Sequence, residues 1–191
     1  MNILDRNYIN NLAQYQTDIN QYILSLYNIP VQINAQTIVE LGSGQSTFAF
    51  LAAANKTNGQ LYSFDIGPFP ATPLRGFPTG ESILTEASRL HYTQISDLEA
   101  EKTWNKPIDV LFLDTSHTYQ HTKQELLVWP RHLRRNGIFI MHDTAHEAGD
   151  IMGCRQALNE WLDSEKYTCV HLLDTLIIGL SVMVKLIDYM E

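Results

Sequence analysis

Short β-prone runs alternate with helix-prone runs along most of this chain. The β-prone runs are 37–41, 60–66, 92–95, 108–113 and 137–141. The last two are almost wholly apolar, which is typical of parallel strands that are buried on both faces. Because parallel strands need a crossover connection, this alternation predicts an α/β fold with a doubly wound, mostly parallel sheet.

The connecting runs have the composition of helices. They are 8–26, 46–55, 82–90, 117–129 and 155–162. Apolar residues in the first recur at steps of three and four, and Pro30 is expected to help end that helix. Two further β-rich runs, 167–173 and 177–185, are joined by a short connection. They predict a C-terminal antiparallel hairpin at the end of the sheet.

Chain length and net charge limit the number of domains and the classes of partner. With 191 residues, 45% of them hydrophobic, we predict one domain, 1–191, in which 1–30 is a helical extension. Apolar positions of that extension pack either on their own domain or on a second subunit, so a homodimer stays open. A net charge of -8 disfavours nucleic acid and anionic membranes as partners.

The two cysteines and the N-terminal residues indicate the cellular compartment of the protein. Cys154 and Cys169 are far apart in the sequence and do not have metal-ligand spacing. Residues 1–6 do not lead into the basic and apolar segments of a secretory signal. We therefore expect reduced thiols and a cytoplasmic protein.

Polar or charged residues stand where the predicted parallel strands end. They are Glu40, Asp65, Ser96, Asp97, Asp114, His142 and Asp143. A lone aspartate after a strand is usually a turn former or a helix cap. In an open parallel sheet, however, ligands bind beyond the carboxyl ends of the strands, so these positions together predict a ligand site.

A glycine turn follows the first strand, in the run Glu40-Leu41-Gly42-Ser43-Gly44. Thr47 occupies the position at which a dinucleotide fingerprint has its third glycine, and the sequence has no Gly-Lys-Ser or Gly-Lys-Thr phosphate loop. A carboxylate before the turn suits an ammonium or sulfonium group better than a pyrophosphate. These features disfavour the alternative of an NAD-dependent oxidoreductase.

The acidic residue before Gly-x-Gly, together with Phe64-Asp65 at the end of the second strand, resembles the class I S-adenosylmethionine-dependent methyltransferases. The resemblance covers nearly the whole chain and implies a Rossmann-like methyltransferase fold. It implies that the glycine turn holds the methionine part of S-adenosylmethionine, that Asp65 binds the ribose, and that Ser96 and Asp97 lie beside the adenine. The cofactor residues would be Glu40, Gly42, Ser43, Gly44, Ser46, Thr47, Asp65, Ser96, Asp97 and Asp114.

A narrower resemblance lies in the segments 108–119 and 136–144. They look like the small metal-dependent O-methyltransferases related to macrolide-sugar and cephalosporin-tailoring enzymes. By position, the resemblance implies metal ligands at Asp114, His142 and Asp143, and a general base at His117. It implies transfer of a methyl group to a hydroxyl of a small-molecule acceptor such as a sugar or natural product.

One position departs from that family, because His142 stands where an acid is usual. Magnesium prefers oxygen ligands, whereas imidazole suits zinc, iron, nickel or copper. Asp114 and Asp143 therefore hold Mg²⁺ with waters, or the divalent metal differs, or there is none. A non-catalytic S-adenosylmethionine-binding protein is the remaining alternative.

Two smaller features complete the prediction. His117 and His121 have the spacing of a helical zinc pair, but we expect His121 to be a solvated helix residue.

The segment 67–80 contains four of the seven prolines. It is either a stiff surface connection or a lid over the ligand site.

Overall fold

A computed structural model describes residues 4, 6–15, 17–69, 87–145, 153–165, 168–174 and 179–187. Two units divide the chain, Met1–Ile95 and Ser96–Glu191. The organisation of 1–191 as one domain stays a prediction. Seven strands lie in the described residues, three in the first unit and four in the second.

Within its described residues, the first unit contains three α-helices and three parallel strands. In chain order they are α1 (Arg6–Leu12), α2 (Ile23–Gln32), β1 (Thr37–Leu41), α3 (Gln45–Thr57), β2 (Gln60–Asp65) and β3 (Leu90–Gln94). Strand β2 pairs with β1 on one side and with β3 on the other. In this register Glu40 lies beside Ser63, which brings polar residues of neighbouring strands together.

The N-terminal region differs from the predicted single helix over 8–26. The helix is interrupted between α1 and α2, and the buried Asn20 side chain donates a 3.1 Å hydrogen bond to the carbonyl of Leu12 at the end of α1. A side-chain amide that satisfies a terminal carbonyl lets a helix stop there. Pro30 does not end α2 but lies buried inside it, so the prediction for Pro30 was wrong.

The second unit carries the remaining strands. Its elements are α4 (Asp97–Glu101), β4 (Ile108–Leu113), α5 (Tyr119–Val128), β5 (Leu133–His142), α6 (Cys154–Ser164), β6 (Cys169–Asp174) and β7 (Leu180–Lys185). Strand β5 is parallel to β4 and antiparallel to β7, which is in turn antiparallel to β6. The predicted α/β class, with mostly parallel strands and a C-terminal antiparallel pair, is confirmed. All six residues of β4 are buried, as its apolar sequence predicts.

Some predicted segments lie outside the described residues. These are 70–80 of the proline-rich segment, 82–86 of a predicted helix, and the hairpin connection 175–178. Helix α5 begins at Tyr119, so His117 precedes the helix in which the sequence placed it. Among the described helices, none combines the length and apolar character needed to cross a bilayer.

Candidate active site

The glycine turn links β1 to α3 in the first unit. Gly42 has φ 86°, a left-handed conformation that favours glycine, and its N–H donates a 2.9 Å hydrogen bond to the carbonyl of Phe64. Gly44 is extended, and a Cβ added there would meet no atom within 4 Å. The space in front of Gly44 is therefore open to a ligand.

The Glu40 side chain anchors this turn through hydrogen bonds. It is fully buried and accepts hydrogen bonds from the hydroxyls of Ser46 (2.6 Å), Thr47 (2.7 Å) and Ser63 (2.6 Å). The Thr47 hydroxyl also accepts a 3.1 Å bond from the N–H of Gly44. One buried carboxylate thus ties β1, the start of α3 and β2 together, which positions the turn.

Asp65 lies at the end of the neighbouring strand β2. One carboxylate oxygen accepts from the backbone N–H of Ser43 and the other from that of Gly67, both at 2.7 Å. The hydroxyls of Ser43 and Ser63 are 2.7 Å apart. The structure therefore brings together the predicted residues of the first unit, and adds Ser63, which sequence reasoning missed because no motif marks a serine inside a strand.

In the second unit, Ser96 precedes α4 and Asp97 begins it. The Asp97 carboxylate lies 3.0 Å from Nε2 of His121 on α5. His121 was predicted to be a solvated helix residue, but its side chain is only partly exposed (26%) and pairs with this buried acid, so the prediction was wrong. Asp97 is thus directed at α5, and its predicted contact with adenine stays a prediction.

Four titratable side chains meet at the carboxyl ends of β4 and β5. Nε2 of His117 lies 2.9 Å from Oδ1 of Asp114 and 3.0 Å from Oδ2 of Asp143. Nδ1 of His142 lies 3.4 Å and 3.1 Å from the same two oxygens. His142 is buried, whereas the side chain of His117 is 31% exposed. His117 is therefore the imidazole of this group that solvent reaches.

The pairing shifts all four pKa values. Hydrogen bonds to Asp114 and Asp143 raise the pKa of His117 to about 10. Burial lowers the pKa of His142, but bonds to the same carboxylates raise it overall to about 9. Burial also opposes ionisation of both acids, yet the two imidazoles hold each aspartate pKa below its usual range. At neutral pH two imidazolium ions therefore balance two carboxylates.

Two of these residues have an uncommon backbone conformation. His117 has φ 58° and Asp143 has φ 55°, both in the left-handed region. Side chains other than glycine adopt it at a cost of about 1–3 kcal/mol, and such residues cluster at functional sites. The carbonyl of His117 accepts a 2.9 Å bond from the N–H of Gly153, at the start of α6. Both sides of the site are thus held in strained turns.

The donor set fits a divalent metal. One ligand atom each from Asp114, His117 and Asp143 lies within 4.8 Å of the others. The sequence assigned the third position to His142, whereas this group contains His117, which reaches both carboxylates from the turn after β4. Two oxygens and one imidazole nitrogen suit a first-row ion such as Mn²⁺ or Zn²⁺, while Mg²⁺ would rely on the two carboxylates and water.

Solved structures share this fold. Cofactor-bound Rv0187 from MTB is similar over 94% of this chain and 87% of that chain, with TM-score 0.69 and 16% sequence identity. An O-methyltransferase from Bacillus cereus in complex with SAH is similar over 94% and 86%, with TM-score 0.67 and 15% identity. The N-methyltransferase NodS from Bradyrhizobium japonicum WM9 is similar over 95% and 98%, with TM-score 0.63 and 10% identity.

No curated protein matches the sequence. The family model described as "Methyltransferase domain" matches residues 39–144, which is more than half of the chain. The matched segment begins beside Glu40 and ends just after Asp143, so it contains the glycine turn and the paired acids and imidazoles described above. The chain belongs to the methyltransferase domain family.

Proposed function

We propose that this protein transfers the methyl group of S-adenosylmethionine to a hydroxyl oxygen of a small molecule, with help from a divalent metal. The observation that carries the proposal is the convergence of Asp114, His117 and Asp143 where β4 and β5 end. A hydroxyl is a poor nucleophile until its proton is removed, and this group offers both a proton acceptor and metal ligands. The net charge of -8 supports a small-molecule acceptor rather than nucleic acid or an anionic membrane surface. We place the reaction in the cytoplasm.

The glycine turn supports the cofactor assignment. Gly44 faces open space, and Ser46 and Thr47 are anchored to Glu40, so the backbone of the turn is held ready for the methionine part. Each carboxylate oxygen of Asp65 accepts one backbone bond, and a carboxylate has about four acceptor positions. Asp65 therefore retains capacity for ribose hydroxyls. Ser96 and Asp97 are assigned to the adenine, Asp97 through its backbone, because its carboxylate pairs with His121.

Asp114 and Asp143, with His142, would hold the metal while His117 acts as the base, because a nitrogen bound to an ion cannot also accept a proton. The ion would act as a Lewis acid that lowers the pKa of the acceptor hydroxyl. In the pairing described above His117 is already protonated, because its hydrogen bonds to two carboxylates raise its pKa. His117 can accept a proton only when another cation neutralises those acids, so the base and the metal depend on each other.

The proposed reaction is a displacement at the methyl carbon of S-adenosylmethionine. The hydroxyl proton passes to Nε2 of His117, the acceptor oxygen forms a bond to the methyl carbon, and the carbon–sulfur bond breaks. The sulfonium becomes the neutral thioether of S-adenosylhomocysteine. Displacement at carbon needs the three atoms in line, so positioning supplies much of the rate enhancement.

Calorimetric titration with S-adenosylmethionine and S-adenosylhomocysteine, with and without Mg²⁺ or Mn²⁺, tests the cofactor. Micromolar binding is expected, and NAD should not bind. A panel of hydroxylated and amine acceptors, read by mass spectrometry of the product, then tests the methylated atom. Failure to bind S-adenosylmethionine under any condition removes the proposal. Binding with N-methylated products alone would replace the O-methyl assignment.

A further inference from the structure

A second group of metal-ligating side chains lies in the second unit, apart from the Asp114–His117–Asp143 group. It consists of Asp97 at the start of α4 and of His121 and Glu125 on α5. His121 and Glu125 are four residues apart, which places them on one face of the helix. One ligand atom of each of the three lies within 4.8 Å of the others.

Burial makes this group unusual. Glu125 has 0% and Asp97 has 6% of its surface exposed. Oε2 of Glu125 and Oδ2 of Asp97 receive no hydrogen bond from any donor in the described part of the chain. Burial of a carboxylate oxygen without a partner is unfavourable, so two such oxygens together favour a neutralising cation.

The single imidazole does not balance both acids. Nε2 of His121 lies 3.0 Å from Oδ1 of Asp97 and 3.6 Å from Oε1 of Glu125. The group therefore holds two buried acids against one imidazole, and a bound divalent ion would neutralise the second acid.

We propose that Asp97, His121 and Glu125 form a second divalent-cation site that takes an ion of the Zn²⁺ type. Bonds of about 2.0–2.2 Å to a tetrahedral ion place ligand atoms about 3.3–3.6 Å apart. The distances of 3.0 Å and 3.6 Å from the imidazole nitrogen are close to that spacing. An imidazole with two carboxylates suits Zn²⁺ better than Mg²⁺.

Two neighbouring features support this assignment. The hydroxyl of Thr115 donates a 2.7 Å hydrogen bond to Oε1 of Glu125, as outer-shell partners of metal ligands do. The side chain of His121 is 26% exposed, so an ion can enter from solvent on its side. Thr115 also directly follows Asp114, so this site is adjacent in sequence to the proposed active site.

The test measures metal and not methyl transfer, so it is independent of the proposed function. Full-length protein carrying Asp143→Asn, which weakens the first group, is stripped with chelator and titrated with Zn²⁺ by calorimetry and elemental analysis. We expect one equivalent of Zn²⁺ and a raised melting temperature, with no competition from millimolar Mg²⁺. Absence of Zn²⁺ binding by this folded variant, or equal competition by Mg²⁺, would overturn the proposal.

Further variants in the same background locate the ion. His121→Ala should abolish Zn²⁺ binding, and Glu125→Gln provides a conservative second ligand change should the first fail to fold. Thr115→Val should weaken affinity by about 10–100-fold, as loss of an outer-shell partner does. The matched control is His132→Gln, which removes a histidine 2.7 Å from Glu101 and should leave Zn²⁺ affinity unchanged. Unchanged binding in both ligand variants would refute the site.

Discussion

The backbone N–H of Gly153 donates a 2.9 Å hydrogen bond to the carbonyl of His117, which joins the start of α6 to the turn that carries the proposed base. A Cβ on Gly153 would lie 2.3 Å from Cβ and 2.7 Å from N of Tyr119. Both atoms are at the start of α5, so the helix termini touch at this glycine. The position of His117 therefore depends on a residue 36 places later, counted from their residue numbers.

Gly153→Ala should destabilise the protein. The added methyl group cannot fit without shifting Tyr119, and overpacking of this kind costs about 1–3 kcal/mol. Urea denaturation should show a lower midpoint with an unchanged slope. Gly44→Ala is the matched control, because its Cβ meets no atom within 4 Å. Equal midpoints for Gly153→Ala and the wild type would contradict the packing described here.

Gly44→Ala should change binding rather than stability. Its extended backbone suits alanine, so the free energy of unfolding should stay within about 0.5 kcal/mol. The new methyl group would enter the space assigned to S-adenosylmethionine, and a clash of about 1.4 kcal/mol lowers affinity tenfold. Calorimetry compares the two proteins. Full affinity in the variant would show that S-adenosylmethionine does not bind against this turn.

Glu40→Gln should lower both the stability of the protein and its affinity for S-adenosylmethionine. A glutamine has one acceptor oxygen and one NH2 donor in place of the two carboxylate oxygens that now accept from three hydroxyls, so at least one of these hydroxyls must reorient or lose its acceptor. The expected cost is about 1–3 kcal/mol of stability, with weaker S-adenosylmethionine binding because the turn loosens. Glu99→Gln, on an exposed acid paired with Lys102, is the control. Identical melting temperatures for Glu40→Gln and this control would argue against the anchoring role.

His117→Ala tests the proposed base. Loss of a general base should slow methyl transfer by about 10²–10⁴-fold. Affinity for S-adenosylmethionine should remain within a factor of two, because His117 is not assigned to the cofactor. The control, His132→Gln, should keep the full rate. A transfer rate that survives His117→Ala would leave His117 as a structural partner of the two aspartates.

Removal of metal should stop transfer as well. Chelator treatment should abolish the rate, and added Mg²⁺ or Mn²⁺ should restore it, since the paired acids otherwise keep His117 protonated. The order of restoration among Mg²⁺, Mn²⁺ and Zn²⁺ indicates which donors bind. A rate that chelator leaves unchanged would exclude the metal-assisted proposal.

Cys154 should be inert in the folded protein. Burial raises the pKa of its thiol to about 12, so the reactive thiolate is roughly one part in ten thousand at pH 8. In a Cys169→Ser background, a disulfide reagent should label no thiol at pH 8 until urea unfolds the chain. Reactivity should appear together with loss of circular dichroism. Fast labelling of the native variant would show that α6 opens readily.

Local sequence patterns were sufficient for much of the fold. The apolar run of β4, the glycine turn after β1 and the C-terminal β-rich runs each predicted an observed element. The N-terminal helix was predicted wrongly because periodicity shows which residues are buried and does not show that Asn20 folds back onto the Leu12 carbonyl. That contact joins residues eight apart, beyond one or two helical turns.

The sequence by itself determined which residues stand at strand ends, since β-prone runs and their terminal carboxylates are local properties of the chain. Only the tertiary structure decided their partners. The left-handed turns at His117 and Asp143 place one imidazole between two acids, and the meeting of α4 with α5 brings Asp97 to His121 and Glu125. Such pairings depend on how separate elements pack, because hydrogen bonds and charge balance act through space between residues distant in the chain.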